Sequence, residues 1–262
     1  MKIVVLVKQI PDPEARVAVG ADGGPAALQV EDRWCTSFFD EVALEAALGL
    51  RQRHGGEVVA VTAGGGKAVD ALRRALAFGA DRVAQLDDPA LAGADGLGVA
   101  AALAAFVRRE PPDLVLAGRQ ALDDEAGVVG PAVAERLDWP HAADAVALEA
   151  DPAARRIRVE RTVDGGREVL ELPLPALITA QKGLATPRVP QVTGVMKAMR
   201  AKIDRLDLAA LGLSPADVAP RTAVLGYRPP PSRKPVRMIE ADFPENVRTL
   251  AALLCDEAKV LG

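Results

Sequence analysis

The segment from Gly118 to Gly130 concentrates residue types from which a ligand site can be built. It carries three consecutive acids, Asp123 to Glu125, directly before a helix that is predicted to begin near Ala126. One interpretation is structural, because acids in the first turn of a helix complement its dipole. The other is functional: the N–H groups of residues 127–129 receive a phosphate, and the acids hold ribose hydroxyls. The pattern alone leaves both interpretations open.

Two other segments follow predicted strands, Lys8 to Asp12 and Thr62 to Lys67. The second contains Gly64, Gly65 and Gly66, but it lacks both the spacing of a Walker loop and a G-x-G-x-x-G pattern. Three glycines are as typical of a tight strand-to-helix turn as of a phosphate cradle.

Residues with catalytic or metal-binding chemistry are isolated from one another. His54 and His141 have no Cys or carboxylate at ligand spacing, and both are expected to be surface or capping residues. No serine lies in a nucleophile elbow, and no pair of carboxylates is placed for acid–base catalysis. The sequence therefore predicts neither catalytic residues nor a metal site.

The composition argues against several classes of protein. The 262 residues carry a net charge of −4 and only 3% aromatic residues, so a nucleic-acid partner is not expected. Cys35 and Cys255 are too few for a disulfide framework, which favours a reducing, cytoplasmic location. No run approaches the roughly 20 apolar residues that cross a bilayer, so membrane insertion is not expected.

Aliphatic runs and amphipathic helices alternate along the first half of the chain. Continuous apolar runs, typical of strands buried on both faces, occupy Ile3 to Val7, Val58 to Ala63, Val83 to Leu86 and Leu114 to Ala117. Apolar residues at helical spacing lie between them, as at Val42, Ala46 and Leu50. This alternation predicts an α/β fold with a doubly wound parallel sheet, similar to Rossmann-type nucleotide-binding domains.

The second half of the chain adds two different elements. Residues 156–180 alternate around Asp164-Gly165, which predicts an antiparallel hairpin, and prolines place the last run, Ala176 to Ala180, at an edge or after a bend. A proline-rich linker from Tyr227 to Pro235 precedes Phe243, Val247, Leu250 and Leu254 at helical spacing. Taken alone, such a terminal helix is expected to dock on its own domain.

Several blocks, in order, resemble those of electron transfer flavoprotein beta subunits. The stretch from Val159 to Thr179 resembles the signature hairpin of that family. Further blocks that resemble the family occupy Lys2 to Asp12, Phe39 to Glu45, Ala75 to Asp81, Gly118 to Asp124, Leu137 to Pro140 and Val195 to Ala198. The resemblance extends over essentially the whole chain, and the ordered combination of blocks is its most specific feature.

The resemblance implies a non-enzymatic electron carrier subunit. It implies a heterodimer with an alpha subunit that holds the redox FAD, electrons accepted from dehydrogenases such as those that oxidise acyl-CoA, and delivery to a membrane quinone reductase. It also implies a structural AMP in this chain, or a second FAD in bifurcating relatives. Residues 1–226 would form the nucleotide-binding domain, and residues 227–262 an arm that packs on the alpha subunit.

The family's nucleotide contacts can be transferred position by position, with Phe39 also approaching the partner's flavin. The implied cofactor-binding residues are Leu6, Ser37, Phe38, Phe39, Asp40, Ala63, Gly118, Arg119, Gln120, Ala121, Leu122, Asp123, Asp124, Glu125, Ala126, Gly127, Val128 and Val129. Three departures affect this site. Ser37-Phe38 replaces a frequent Asn-Pro, Pro13 replaces an aromatic residue, and residues 126–129 lack the polar side chains that usually assist the phosphate. Any grip on a phosphate must then come from backbone N–H groups.

The resemblance also assigns residues 183–200 as a recognition loop that docks on dehydrogenases. Val192 stands at the position of an aliphatic anchor, with Val195 and Met196 beside it. Basic residues flank the anchor, namely Lys182, Arg188, Lys197 and Arg200. The alternative is a solvated basic loop without a partner.

Other functions remain open on the sequence alone. Val129-Gly130-Pro131 resembles the bifurcating branch, so a second FAD competes with the preferred AMP, and an empty site is a third possibility. From a different class, the chain could be a free-standing sensor that binds an adenine nucleotide. Adenylating enzymes of similar architecture are disfavoured because their phosphate-binding loop sequence is missing.

Overall fold

The computed structural model describes residues 1–233 and 235–260. The strands, in chain order, are β1 (Lys2–Leu6), β2 (Gln9–Pro11), β3 (Val17–Val19), β4 (Leu28–Val30), β5 (Trp34–Thr36), β6 (Glu57–Ala63), β7 (Arg82–Leu86), β8 (Leu114–Gly118), β9 (His141–Asp151), β10 (Arg156–Val163), β11 (Gly166–Pro173), β12 (Ala176–Ala180) and β13 (Asp204–Leu206). The α-helices are α1 (Phe38–His54), α2 (Ala68–Phe78), α3 (Gly96–Arg109), α4 (Val129–Leu137), α5 (Val192–Arg200) and α6 (Glu245–Ala252).

Nine strands form one sheet in the order β11-β10-β9-β12-β8-β1-β6-β7-β13. All neighbours from β9 to β13 are parallel, and β10 and β11 are added antiparallel at the β9 end. The short strands pair separately, β2 with β5 and β3 with β4.

Helices cover both faces of the parallel strands. Ile3 and Val5 of β1, with Val7 just after it, pack on the side of α1 and α2, while Val4 and Leu6 pack on the side of α3 and α4. This division follows from the two-residue period of a strand, and it explains why the run is apolar without alternation. The predicted doubly wound parallel sheet is confirmed.

The antiparallel extension is confirmed, but the prediction misses one strand. Residues 164–165 form the hairpin turn, with Val163 opposite Gly166. Of the two predicted placements of Ala176 to Ala180, the structure shows the second: β12 follows a bend at residues 174–175 and lies between β9 and β8, parallel to both. Pro173 and Pro175 precede β12, so neither removes an N–H from its pairing. Residues 141–151, for which no strand is predicted, form β9.

The chain divides into two compact units, Met1–Gly226 and Tyr227–Gly262. In the second unit, α6 continues into a π-helical turn, Leu253–Glu257, in agreement with the predicted terminal helix. Three apolar side chains on or just before α6 are exposed, Phe243 at 81%, Val247 at 53% and Leu250 at 47%.

Among the residues that the structure describes, none of the helices has the length and apolarity needed to cross a bilayer.

Candidate functional site

The order of the strands creates a crevice between β1 and β8. Chain connections run from β1 through α1 to β6 on one side, and from β7 through α3 to β8 on the other. The winding therefore reverses between β1 and β8, and ligands of open α/β sheets bind beyond the carboxyl ends of strands at such a point. We call the space beyond Leu6 and Gly118 the crevice.

Asp40, in the first turn of α1, joins the two strands that border the crevice. Its Oδ2 accepts a hydrogen bond from the N–H of Lys8 at 2.8 Å, and its Oδ1 accepts one from the N–H of Gly118 at 2.9 Å. The carboxyl group is buried, and burial raises its pKa to about 7 despite these two hydrogen bonds. Asp40 thus fixes the distance between the ends of β1 and β8.

Gly118 is required by this close approach. A Cβ at position 118 would lie 2.4 Å from Oδ1 of Asp40, 2.8 Å from Cβ of Phe39 and 2.9 Å from the backbone N of Asp40. The first turn of α1 therefore rests directly on the backbone at the end of β8.

Lys8 connects the two loops that border the crevice. Its Nζ lies 2.8 Å from Oδ1 of Asp123 and 3.1 Å from Oδ2 of Asp124. Burial lowers the pKa of Lys8, but the two carboxylates outweigh this effect and hold it above its ordinary value. The acids of the 119–128 loop thus have a partner across the crevice.

The predicted start of the following helix near Ala126 is wrong. Helix α4 begins at Val129, and no acid lies in its first turn. The loop is instead held by Lys8 and turned by residues with positive φ, Glu125 at 49° and Gly127 at 62°. The helix-capping interpretation of Asp123 to Glu125 is therefore wrong, because these residues lie outside the helix.

The start of α4 offers main-chain hydrogen-bond donors. Within the described residues, the N–H groups of Gly127, Val128 and Val129 have no acceptor, and no side chain caps the helix. The helix starts directly against the sheet, since a Cβ on Gly130 would lie 2.7 Å from Cγ2 of Thr179. Free amides at a helix N-terminus favour an anion.

Ser37 adds an unpaired polar group beside the crevice. The residue is fully buried immediately before α1, and within the described residues its Oγ has no hydrogen-bond partner. A buried hydroxyl of this kind gains free energy from any ligand that can hydrogen-bond with it. The apolar ends of β1 and β6, at Leu6 and Ala63, border the same edge of the sheet. Free amides, a buried hydroxyl and apolar strand ends therefore lie at the same edge of the sheet.

Arg119 and the two phenylalanines form an aromatic and cationic cluster at the crevice. The Arg119 guanidinium lies 5.9 Å from the centroid of the Phe39 ring, which contacts Phe38 edge-on at 5.6 Å. The Nε of Arg119 also pairs with Oδ1 of Asp144 at 3.2 Å. The sequence gives no signal for Asp144. It lies in β9, for which no strand is predicted, and only the folding of the chain brings it next to Arg119.

The glycine-rich segment after β6 is a strand-to-helix turn. Gly64 and Gly66 have φ values of 139° and 56°, and α2 begins at Ala68. Gln85, fully buried in the neighbouring strand, donates from Nε2 to the carbonyl of Gly64 at 2.9 Å. The backbone therefore needs glycine here for the turn itself.

The recognition loop (residues 183–200) is partly helical. Its second half forms α5, which exposes Val192 by 77%, Val195 by 42% and Met196 by 49%. Arg188 is expected to be a free basic residue, but its guanidinium donates two hydrogen bonds of 2.7 Å to the carboxylate of Glu45. The loop therefore presents an apolar helix face with fewer free cations than its sequence suggests.

Comparison with known proteins identifies the family. Residues 29–211 match the family described as Electron transfer flavoprotein domain. The chain is 32% identical over 270 residues to the electron transfer flavoprotein subunit beta of Bacillus subtilis, with 100% of both chains covered. It is 36% identical over 239 residues to the subunit of the same name from Bos taurus, covering 89% of this chain and 90% of the relative. It is 38% identical over 215 residues to Protein FixA of Azorhizobium caulinodans, covering 78% and 74%. The chain therefore belongs to the electron transfer flavoprotein family, as a beta subunit.

Proposed function

We propose that this beta subunit pairs with an alpha subunit that holds the redox FAD, and that it binds AMP as a structural ligand in the crevice. The heterodimer would accept electrons from dehydrogenases such as acyl-CoA dehydrogenases and deliver them to a quinone reductase. The subunit covers the partner's flavin and has no catalytic activity of its own. Two free cysteines, Cys35 and Cys255, support a reducing compartment such as the cytoplasm.

The observation that carries the nucleotide proposal is the set of free amides at the start of α4. The N–H groups of residues 127–129 would receive the phosphate, and the helix dipole would add to the attraction. No lysine or arginine side chain is needed for this grip, which suits a segment whose side chains are Ala126, Val128 and Val129.

The remaining crevice residues would hold the nucleoside. The Ser37 hydroxyl supplies an unused donor and acceptor, while Leu6 and Ala63 offer apolar contacts to a purine. Asp123 and Asp124 have free lone pairs besides those that Lys8 uses, so both could also accept a ribose hydroxyl. AMP supplies no redox chemistry, so its contribution is to fix the 119–128 loop.

A second FAD is the alternative ligand. It is favoured by Val129-Gly130-Pro131, which resembles the bifurcating branch. Release of the ligands from the purified heterodimer, followed by chromatography and mass spectrometry, separates the possibilities. We expect one FAD and one AMP for each heterodimer. Two FAD would establish the alternative, and one FAD without AMP would overturn the nucleotide proposal.

The second unit supports the proposed heterodimer through its exposed apolar side chains. Phe243, Val247 and Leu250 lie on or just before α6 and are 47–81% exposed. We expect deletion of residues 227–262 to abolish co-purification with a co-expressed alpha subunit. A free-standing nucleotide sensor would instead purify as a stable monomer without flavin absorbance, with or without these residues.

The recognition loop supports docking on a dehydrogenase through the exposed face of α5. Val192 is 77% exposed, as expected of an anchor that becomes buried in a transient complex. The substitution Val192→Asp should raise the KM of the dehydrogenase reaction for the flavoprotein, and so reduce electron transfer, while leaving flavin content unchanged. Val169→Asp, at a 51% exposed position on β11, is the matched control and should change neither property. Equal loss of both properties in Val192→Asp would refute the docking assignment.

A further inference from the structure

Helix α5 is too short to be stable without support from its surroundings. It has nine residues, and its side chains are exposed or partly buried apart from Ala198. An isolated helix of fewer than about 12 residues is marginal in water even with favourable sequence. The apolar face of α5 can be presented in one orientation only if contacts outside the helix hold it there.

One contact lies at the C-terminal end of α5. The Nη1 of Arg73, on α2, donates to the carbonyl of Ala198 at 3.2 Å and to that of Met199 at 2.7 Å. Carbonyl groups in the last turn of a helix accept no hydrogen bond from an N–H of the same helix. A cation near them also interacts favourably with the helix dipole. In the first turn of α5, a Cβ on Gly194 would lie 2.9 Å from the carbonyl oxygen of Ala77. Helix α5 therefore lies directly on the end of α2.

The other contact lies before the start of α5. Arg188 belongs to the irregular half of the recognition loop, and the carboxylate of Glu45 on α1 receives three hydrogen bonds from it. These bonds come from the backbone N at 3.3 Å, from Nε at 2.7 Å and from Nη2 at 2.7 Å. The bidentate geometry fixes both position and direction, and the Glu45 side chain is only 16% exposed.

We propose that Glu45 is a positioning residue for the recognition loop: through Arg188 it holds the loop and the start of α5 in the orientation that docks. This inference rests on the proposed docking function. Loss of the Glu45 charge frees the irregular half of the loop from α1. The loop must then be ordered when the complex forms, and the free-energy cost of ordering it weakens binding. The effect is a weaker encounter with the dehydrogenase and unchanged electron transfer once the complex has formed.

Glu41 provides a matched control for the test. It lies one turn earlier on α1, its side chain is 15% exposed, and it pairs with Nε of Arg74 at 2.8 Å. Glu41→Gln therefore removes an ion pair of similar burial from the same helix, without touching the recognition loop. A double variant, Glu45→Arg with Arg188→Glu, restores opposite charges at the two positions.

The test uses the co-expressed heterodimer with an acyl-CoA dehydrogenase and its acyl-CoA substrate. We expect Glu45→Gln to raise the KM for the flavoprotein about tenfold, equal to about 1.4 kcal/mol, with kcat unchanged. Amide hydrogen exchange in residues 185–200 should increase in the same variant. Glu41→Gln should change neither quantity, and the double variant should recover most of the lost affinity.

The outcomes separate this inference from the function on which it rests. If Val192→Asp raises the KM but Glu45→Gln changes neither the KM nor the exchange of residues 185–200, the positioning role is refuted. If Val192→Asp itself leaves the KM unchanged, the docking function is refuted and the positioning role falls with it. A fall in kcat for Glu45→Gln would also contradict the inference, because positioning acts only on the encounter.

Discussion

The substitution Gly118→Ala tests how the crevice is built. The new Cβ would lie 2.4 Å from Oδ1 of Asp40 and 2.9 Å from its backbone N. A side-chain rotation could move Oδ1 away, but it could not relieve the clash with the backbone N. Helix α1 and the end of β8 must therefore separate, which weakens the hydrogen bond from Gly118 N–H to Asp40.

The magnitude follows from two contributions. Overpacking of a close-packed interior costs about 1–3 kcal/mol. Above the Asp40 pKa of about 7, where the carboxylate is charged, the hydrogen bond that it accepts contributes about 1.5–3 kcal/mol. Since the two effects share the same displacement, we expect a loss of about 3 kcal/mol rather than the full sum. For a unit of this size, that corresponds to a fall in Tm of roughly 10 °C.

The assay compares thermal unfolding and nucleotide content of the purified heterodimer. Gly49→Ala is the control, because Gly49 lies in the interior of α1 and no atom outside the adjoining helix backbone lies within 4 Å of the position that its Cβ would take. Alanine there should stabilise the protein by up to about 1 kcal/mol through helix propensity. We expect Gly118→Ala alone to lose bound nucleotide. Wild-type Tm and full nucleotide content in Gly118→Ala would refute the role assigned to this contact.

Three further predictions concern the same crevice. Because the pKa of Asp40 is about 7 when folded and about 3.9 when unfolded, its contribution to the free energy of unfolding should fall as pH rises from 4 to 7 and then level off. Urea titrations should show wild type losing up to about 4 kcal/mol relative to Asp40→Asn over this range; parallel pH profiles would contradict this. Lys8→Met should increase hydrogen exchange in residues 119–128 and cost about 1 kcal/mol at most, since the pairs with Asp123 and Asp124 are partly exposed. Gly127→Ala should reduce nucleotide content, because φ is +62° there, whereas Gly166→Ala, in an open site, should not.

The parts of the fold that can be predicted depend on local patterns. The strands β1 and β8 contain continuous aliphatic runs, and those of β6 and β7 are interrupted by one polar residue each, Thr62 and Gln85. Asp164-Gly165 marks a hairpin by its own conformational preference. Strand β9 gives no such signal because its buried residues are alanines, Ala142, Ala145 and Ala150, which provide little hydrophobic contrast.

The site is predictable in position but not in its connections. The carboxyl ends of the strands indicate where the crevice lies, and the segment Gly118 to Gly130 does border it. However, Asp40 reaches Gly118 across 78 positions of sequence, and Glu45 reaches Arg188 across 143. Neither contact can be predicted from the residues that lie near either partner in the sequence. The start of α4 is misplaced for a related reason, because Lys8, far away in sequence, holds the acids that would otherwise suggest a helix cap.

Helix α1 connects these long-range contacts. Asp40 holds the crevice, and Glu45, five residues later, holds the recognition loop, so the two positions are separated by about 7.5 Å along the helix axis. Helix α1 is packed on the sheet through Val42, Ala43 and Leu44, all at most 1% exposed. A displacement of α1 at the crevice therefore cannot be absorbed between the two positions and must also move the carboxylate of Glu45. For this reason Gly118→Ala, which forces such a displacement, should increase hydrogen exchange in residues 185–200 as well as in the crevice, whereas Lys8→Met should affect the 119–128 loop alone.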